Sequence, residues 1–405
     1  LDAFSQEYVS RKFGEFYASP ATKIIAPSAI GEREFAFFLF KERMMVRHRS
    51  AASLKGLKTL ICELVPSDVY HSCAYYENPE ADMDKKGWLG ADLVFDIDAD
   101  HIPTSCDKVH DEWTCGKCGF SGKGVTPEIC PACAGQKFDA RTWPCERCIG
   151  SAREETTKLI DMLKNDFGFA DSELRVFFSG HRGYHVHVET ETVKTLDSMA
   201  RKEIVDYVYG LGLTTLEEHQ RKSSDSFSLH DFGWNKRIKK GIQKLIRNAT
   251  EEDLKNIGVK QVKAILQNKD AIANRYVEEN RWTLVKGVGP ETWLKIARHV
   301  KELESAKIDT VVTTDIHRLI RMDGTLHGKT GLKKVEFPAG ELAEFDAFTE
   351  AVAFKEGKTK VSVSCAPQFR LGENTFGPYT NQKLELPTAA AILLICKGRA
   401  QAVKD

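Results

Sequence analysis

The chain has 405 residues, 42% hydrophobic and 29% charged, which suffices for two or three domains around a sizeable core. Lysine plus arginine equals aspartate plus glutamate at 58 each, so no global positive field draws in nucleic acid and any template contact must come from a local patch. No apolar run reaches membrane-spanning length, the longest being "AAAILLIC", and no secretory signal is expected ahead of the first block.

Residues 1 to about 100 mix helical openings with strands such as "REFAFFLF" and "RMMVRHRS", where Arg33 and Arg47 either approach a site or sit on strand edges. The run "ADLVFDIDAD" then reads as a strand carrying Asp96 and Asp98. A strand repeats every two residues, so both carboxylates project from one face, roughly 6–7 Å apart at their Cα atoms. Two like charges that close repel unless cations sit between them. Hard ions such as Mg²⁺ or Mn²⁺ accept carboxylate and phosphate oxygens together, which makes this pair a candidate two-metal site for phosphoryl or nucleotidyl chemistry.

Eleven cysteines give the second signal, because most fall in one segment. Cys115-x2-Cys118 and Cys130-x2-Cys133 form two knuckles, with Gly116, Gly119 and Pro131 allowing tight turns, and predict a zinc ribbon rather than a disulfide framework or an iron–sulfur cluster. Cys145-x2-Cys148 opens a helical pattern, "IGSAREETTKLIDMLKNDFGF". Cys62, Cys73, Cys365 and Cys396 are scattered and read as buried apolar residues.

Next, "LRVFFSGHRGYHVHV" predicts a strand from Arg175 to Phe178, a turn at Gly180 and Gly183, and a second strand carrying His185 and His187. Such a turn aims backbone N–H groups at an anion, and Ser179, Arg182 and His185 add donors that suit a triphosphate. Residues near 195 to 306 turn helical. Within them "NKRIKKGIQKLIR" gathers Lys236, Arg237, Lys239, Lys240, Lys244 and Arg247 beside Trp234, either a phosphate-backbone contact or a solvated face. The segment "LVKGVGPETWLKIARH" resembles the glycine turn of a helix-hairpin-helix, and a plain helix start at Pro290 explains it equally. A third block, "IDTVVTTDIHRLIRMDGTLHGKTGLKK", supplies Asp309 or Asp315 as another metal ligand and Arg321, His327 and Lys329 as phosphate partners. From about 335 to 405 short strands and loops are expected, with no chemistry.

Taken together, "FDID", the turn Ser179 to His185, and Asp309 through "LHGKTG" resemble the small catalytic subunit of archaeal and eukaryotic DNA primase, in order from about Arg33 to Lys334. His181 stands where the eukaryotic turn often has arginine. The resemblance implies that Asp96, Asp98 and Asp309 hold Mg²⁺ or Mn²⁺, with Asp315 the competing third acid. It implies that Ser179, Arg182, His185, Arg321, His327 and Lys329 hold the nucleotide's phosphates. The family's zinc knuckle matches Cys106, His110, Cys145 and Cys148, with His101 and Asp107 as alternatives to His110. The ribbon Cys115, Cys118, Cys130 and Cys133 then looks like an insertion within it, giving two structural Zn²⁺ sites.

The implied fold is α/β: a mixed-sheet primase catalytic domain with an inserted zinc-binding module and a helical subdomain. The catalytic part takes 1–100, 151–194 and 307–405, the zinc insertion 101–150 and the helical subdomain 195–306. The implied activity is nucleotidyl transfer, making short primers on a single-stranded DNA template from nucleoside triphosphates, with a primase large subunit as partner. The expected location is the cytoplasm of an archaeal cell, or the nucleus if eukaryotic. Two alternatives stay open: a repair or damage-bypass primase-polymerase, and a zinc-ribbon nucleic-acid-binding protein without catalysis.

Overall fold

A computed structural model describes residues 2–213, 232–254, 257–279, 281 and 284–404; residues 214–231 of the expected helical stretch thus lie outside the described ones. The class is mixed α/β, with several antiparallel sheets. Two units are separable: Leu1–Thr157 with Asp171–Arg201 and Ile308–Asp405, and Lys158–Ala170 with Lys202–Lys307. Among the described residues, no helix is long and apolar enough to cross a membrane.

In the first unit the strand Leu93–Asp98 is buried at every position except Asp96 and Asp98. It pairs with Gly183–Val188, which pairs with Leu174–Phe178, which pairs with Val335–Phe337, all antiparallel. Two glycines make the hairpin possible. Gly180 takes φ +85°, a conformation L side chains disfavour, and a Cβ on Gly183 would lie 2.2 Å from the Ile97 carbonyl oxygen of the neighbouring strand. A second sheet runs Leu319–Arg321, Asp68–Ser72, Phe35–Phe38, Met45–Arg49.

The C-terminal region departs from the expected short strands and loops. Lys358–Ala366 and Tyr379–Pro387 are nine-residue strands that form a sheet with Ala400–Ala402, because Val361 and Val363 alternate inward along the first. Between the second and third of these strands "AAAILLIC" is a core helix, Thr388–Cys396, with Ala390 through Ile395 buried. The cysteine segment forms its own small sheet, Ser121–Lys123, Glu112–Cys115 and Phe138–Arg141, with Trp113 edge-on to Phe138. Of the scattered cysteines Cys73 is buried, whereas Cys62 and Cys365 are exposed, contrary to the reading of all four as buried.

In the second unit the helices Gly233–Asn248 and Pro290–Glu304 pack closely at Gly241, where a Cβ would meet Val300 at 2.3 Å. Pro290 is a plain helix start, capped by Gly289. The basic run divides between two faces. Trp234 is buried and donates to the Tyr207 carbonyl at 2.7 Å, so it is not free for stacking. Arg237 is buried against Asp161 and Asp166, each at 2.6 Å, and Lys239 donates to the Glu278 carbonyl. Lys236, Lys240, Lys244 and Arg247 remain exposed, three or four residues apart on one helical face.

Arg33 also lies inside rather than near a site. Fully buried, it pairs with Asp92 at 2.8 Å, donates to the Ser72 and Cys73 carbonyls, and sits 3.6 Å over the Tyr75 ring. Arg47 turns back on buried Glu34 at 3.0 Å. Removing one partner strands the other's charge, so Arg33→Met should lower unfolding stability by about 3–5 kcal/mol in urea titrations, and adding Asp92→Asn should recover part of it. Equal stability of Arg33→Met and the unsubstituted chain would refute this account of the core.

Candidate active site

Strand register decides which polar groups meet. Asp96 pairs across the sheet with His185, and Asp98 with Gly183, so the acids face the turn that follows Ser179. His185 Nε2 lies 3.5 Å from Asp96 Oδ1. Asp309 joins from a distant segment: its N–H donates to the Asp96 carbonyl at 2.8 Å, and its carboxylate caps the short helix Thr310–Thr314. Burial, then the Asp98 and Asp309 carboxylates, push Asp96 up to about 7. Asp98 is likewise raised, by burial and by Asp100. Asp315 points elsewhere: its Oδ1 accepts from His317 N and its carbonyl faces Cys73. Among the described residues, none of Asp96, Asp98 and Asp309 forms an ion pair with lysine or arginine, and the like charges of Asp98 and Asp309 act on Asp96 more strongly than the cations Arg318 and Lys334, a balance that favours a hard cation beside it.

The expected phosphate partners separate into two groups. His327, Lys329 and Ser179 stand near one another: Thr330 Oγ1 donates to the Gly180 carbonyl at 2.5 Å, and Lys329 N donates to His327 Nδ1 at 3.1 Å. Burial and nearby cations keep His185 and His327 well below the ordinary histidine range, so both rings are neutral. The two arginines are engaged otherwise. Arg321 is held by Asp68 at 2.5 Å and by the Leu326 carbonyl, and it lies over Tyr70. Arg182, 1% exposed, is enclosed by Asp100 and Asp111, with Asp111 bound bidentately at 2.7 and 3.1 Å. Both guanidinium groups are thus engaged by carboxylates in this structure.

All eight metal-ligand candidates of the cysteine segment converge in the two predicted sets, Cys106, His110, Cys145, Cys148 and Cys115, Cys118, Cys130, Cys133. His101 and Asp107 belong to neither. In the first, Cys106 Sγ lies 3.4 Å from Cys148 Sγ and 3.7 Å from Cys145 Sγ, and His110 Nε2 lies 3.0 Å from Cys145 Sγ. In the second, the pairs Cys115–Cys133 and Cys118–Cys130 stand at 3.6 and 3.7 Å. A tetrahedral ion bound to sulfur at about 2.3 Å needs ligand separations of about 3.8 Å, so both sets fit one ion each, and all are too long for disulfides.

Asp111 ties the first set to the turn. Its Oδ1 accepts from His110 Nδ1 and from Trp143 N, both at 2.8 Å, while both its oxygens hold Arg182. Asp100, on the other side of Arg182, donates its N–H to Asp98 Oδ1 at 2.9 Å. The sequence offered one clue to Asp111, a carboxylate directly after a candidate histidine ligand. For Asp68, Asp100 and Lys397, whose Nζ stands 2.6 Å from His181, it offered none, because their partners are remote in sequence.

The raised acid gives a pH signature. Unfolded Asp96 ionises near 3.8 and folded Asp96 at about 7, so between these values the unfolded chain holds fewer protons and this residue's contribution to stability falls as pH rises. In metal-free buffer, the melting temperature of the unsubstituted chain should drop relative to Asp96→Asn across that window. Mn²⁺, which needs the ionised form, should restore it most at the upper end. Parallel profiles for the two proteins would show that Asp96 carries no such shift.

A family model for the DNA primase small subunit matches residues 140–338. The chain is 31% identical to the DNA primase small subunit PriS of Nitrosopumilus maritimus over 97% of this chain and 98% of that protein. It is 32% identical to that of Methanococcoides burtonii over 99% of each, and 31% to that of Archaeoglobus fulgidus over 97% of each. Identity at this level along nearly the whole length is not confined to the motifs: the chain belongs to the DNA primase small-subunit family.

Proposed function

We propose that this chain is the catalytic subunit of a replicative DNA primase, synthesising short primers on single-stranded DNA by two-metal nucleotidyl transfer. The observation that carries the mechanism is the set of three carboxylates from two segments, none in an ion pair with lysine or arginine among the described residues, beside a turn rich in donors. Asp96, Asp98 and Asp309 would hold Mg²⁺ or Mn²⁺. Bound there, divalent ions lower the pKa of an attacking 3′-hydroxyl and neutralise the triphosphate and leaving pyrophosphate.

Ser179, His327 and Lys329 would hold the phosphates, with His185 donating at the junction between phosphate and Asp96. Arg182 and Arg321 act one step back. By fixing the Ser179–His185 turn and the His327–Lys329 loop, they set donor positions before the nucleotide arrives, which is where electrostatic catalysis gains most. The domain reading is a catalytic part built from three segments, with 101–150 as a module holding two structural Zn²⁺ ions. Family membership supports a large-subunit partner. Lys236, Lys240, Lys244 and Arg247 are the local basic patch in the helical segment that could meet a template.

Replacing Asp96, Asp98 or Asp309 by Asn keeps side-chain size but removes an anionic ligand. De novo dinucleotide synthesis on a single-stranded template should then fall at least about a hundredfold in each, while Asp315→Asn stays close to the unsubstituted enzyme. Near-normal synthesis by Asp96→Asn would sink the mechanism, and a severe Asp315 effect would move the third ligand.

Elemental analysis should give about two zinc ions per chain and no iron, as eight tetrahedral ligands require. Because Asp111 orients His110, Asp111→Asn should weaken zinc retention against a chelator about tenfold or more at one of the two sites only. Loss of both ions together, or of neither, would contradict separate sites coupled through Asp111.

A further inference from the structure

The core helix Thr388–Cys396 ends at the catalytic turn. Directly after it, Lys397 Nζ lies 2.6 Å from His181 Nε2, a nitrogen that is also 3.2 Å from Thr142 Oγ1. When Lys397 is an ammonium it can only donate, and His181 Nε2 then accepts with the ring proton on Nδ1. Burial and the surrounding cations keep this ring well below the ordinary histidine range, in agreement with a neutral donor. The His181 ring stacks on His327 at 5.1 Å between centroids, and His327 in turn receives the Lys329 N–H.

Lys397 itself is 7% exposed, and among the described residues no carboxylate pairs with it. A buried ammonium without a counter-charge is costly, and its charged surroundings here are dominated by Arg182 and Lys329. Burial and those like charges push Lys397 down to about 7. Arg182 has its own two carboxylates, so the positive charge acting on Lys397 that lacks such partners comes from Lys329. An arrangement of this kind is relieved by an anion, and a polyphosphate supplies several negative oxygens at once.

We propose that Lys397 is a positioning residue of the triphosphate pocket: it holds His181 as an Nδ1–H donor to the phosphate chain of a bound nucleoside triphosphate, and its ammonium balances the incoming charge. The inference rests on reading the Ser179–His185 turn as the triphosphate site. It adds a residue from the C-terminal region, where the sequence carries no recognisable motif, and gives His181 a defined tautomer and partner.

Lys397→Met keeps the apolar stem and removes the charge; Lys397→Arg keeps the charge. Binding of ATP and of inorganic tripolyphosphate to the full chain, measured calorimetrically with Mg²⁺ and no template, should weaken about tenfold or more in Lys397→Met and recover in part in Lys397→Arg. In primer synthesis KM for the nucleotide should rise by a similar factor, with kcat changed much less. A residue acting in part through another predicts non-additivity, so the double variant Lys397→Met, His181→Phe should lose less binding than the two single losses combined.

Unchanged tripolyphosphate binding in a Lys397→Met protein of undiminished melting temperature would overturn the proposal. If that variant melts lower, Lys397→Gln replaces it in the same comparison. The double variant Ser179→Ala, Lys329→Ala separates the two levels of the argument. Should it bind tripolyphosphate normally, the turn is not the triphosphate site and both readings fall. Should it lose binding while Lys397→Met does not, only the role of Lys397 falls.

Discussion

The enclosure of Arg182 by Asp100 and Asp111 is the constraint on which the site depends. A guanidinium with 1% exposure is tolerable only if its donors are satisfied, and here two carboxylates and the Trp143 carbonyl satisfy them. Those partners come from the end of the acid strand and from the cysteine segment, while Arg182 belongs to the hairpin turn. One side chain therefore locks its own turn to two segments that lie 82 and 71 positions earlier in the sequence. Through Asp111 the lock reaches His110, and through Asp100 it reaches Asp98. A metal bound by Cys106, His110, Cys145 and Cys148 would in this way stiffen the strand end that carries Asp98.

Around this lock the site keeps two unbalanced charge sets. The acids have pKa values pushed up: Asp96 to about 7 by burial and the Asp98 and Asp309 carboxylates, Asp98 by burial and Asp100. The cations are pushed the opposite way: Lys334 and Lys397 fall to about 7, and His181, His185 and His327 fall below their ordinary range. Each set is strained alone, and among the described residues the two do not neutralise each other by direct pairing, His185 and Asp96 at 3.5 Å excepted. Divalent cations beside the acids and a polyphosphate beside the bases would relieve both at once. That is the electrostatic form expected of a site prepared for a metal–triphosphate complex.

What the sequence disclosed about this site was local. Alternation in "FDID" placed two acids on one face, the glycines of "SGHRGYH" marked a hairpin, and Cys-x2-Cys spacing marked the knuckles; each depends on neighbours within a few residues. What it concealed was the allocation of charge. Arg33, Arg182, Arg237 and Arg321 all looked available for ligands, yet each is held by a carboxylate distant in sequence, as Arg321 is by Asp68, 253 positions away. Periodicity reports which face a residue occupies and says nothing of which acid it will find there. The same limit hid the inward turn of Trp234 and the contact of His181 with Lys397, 216 positions apart.

The C-terminal region shows why such a distant contact is worth building. A lysine on a surface loop delivers charge but not position, since its four-carbon stem samples many rotamers. Lys397 instead follows a helix whose residues Ala390 through Ile395 are all buried, so its backbone is fixed by apolar packing. Arg399, two residues on, anchors the same segment to Glu112 at 2.7 Å beside the cysteine cluster. Apolar burial thus sets the coordinates and the ion pair sets the register, leaving the ammonium one place to go. An apolar run too short to span a membrane is, in this fold, the element that sets a charge beside His181 in the Ser179–His185 turn.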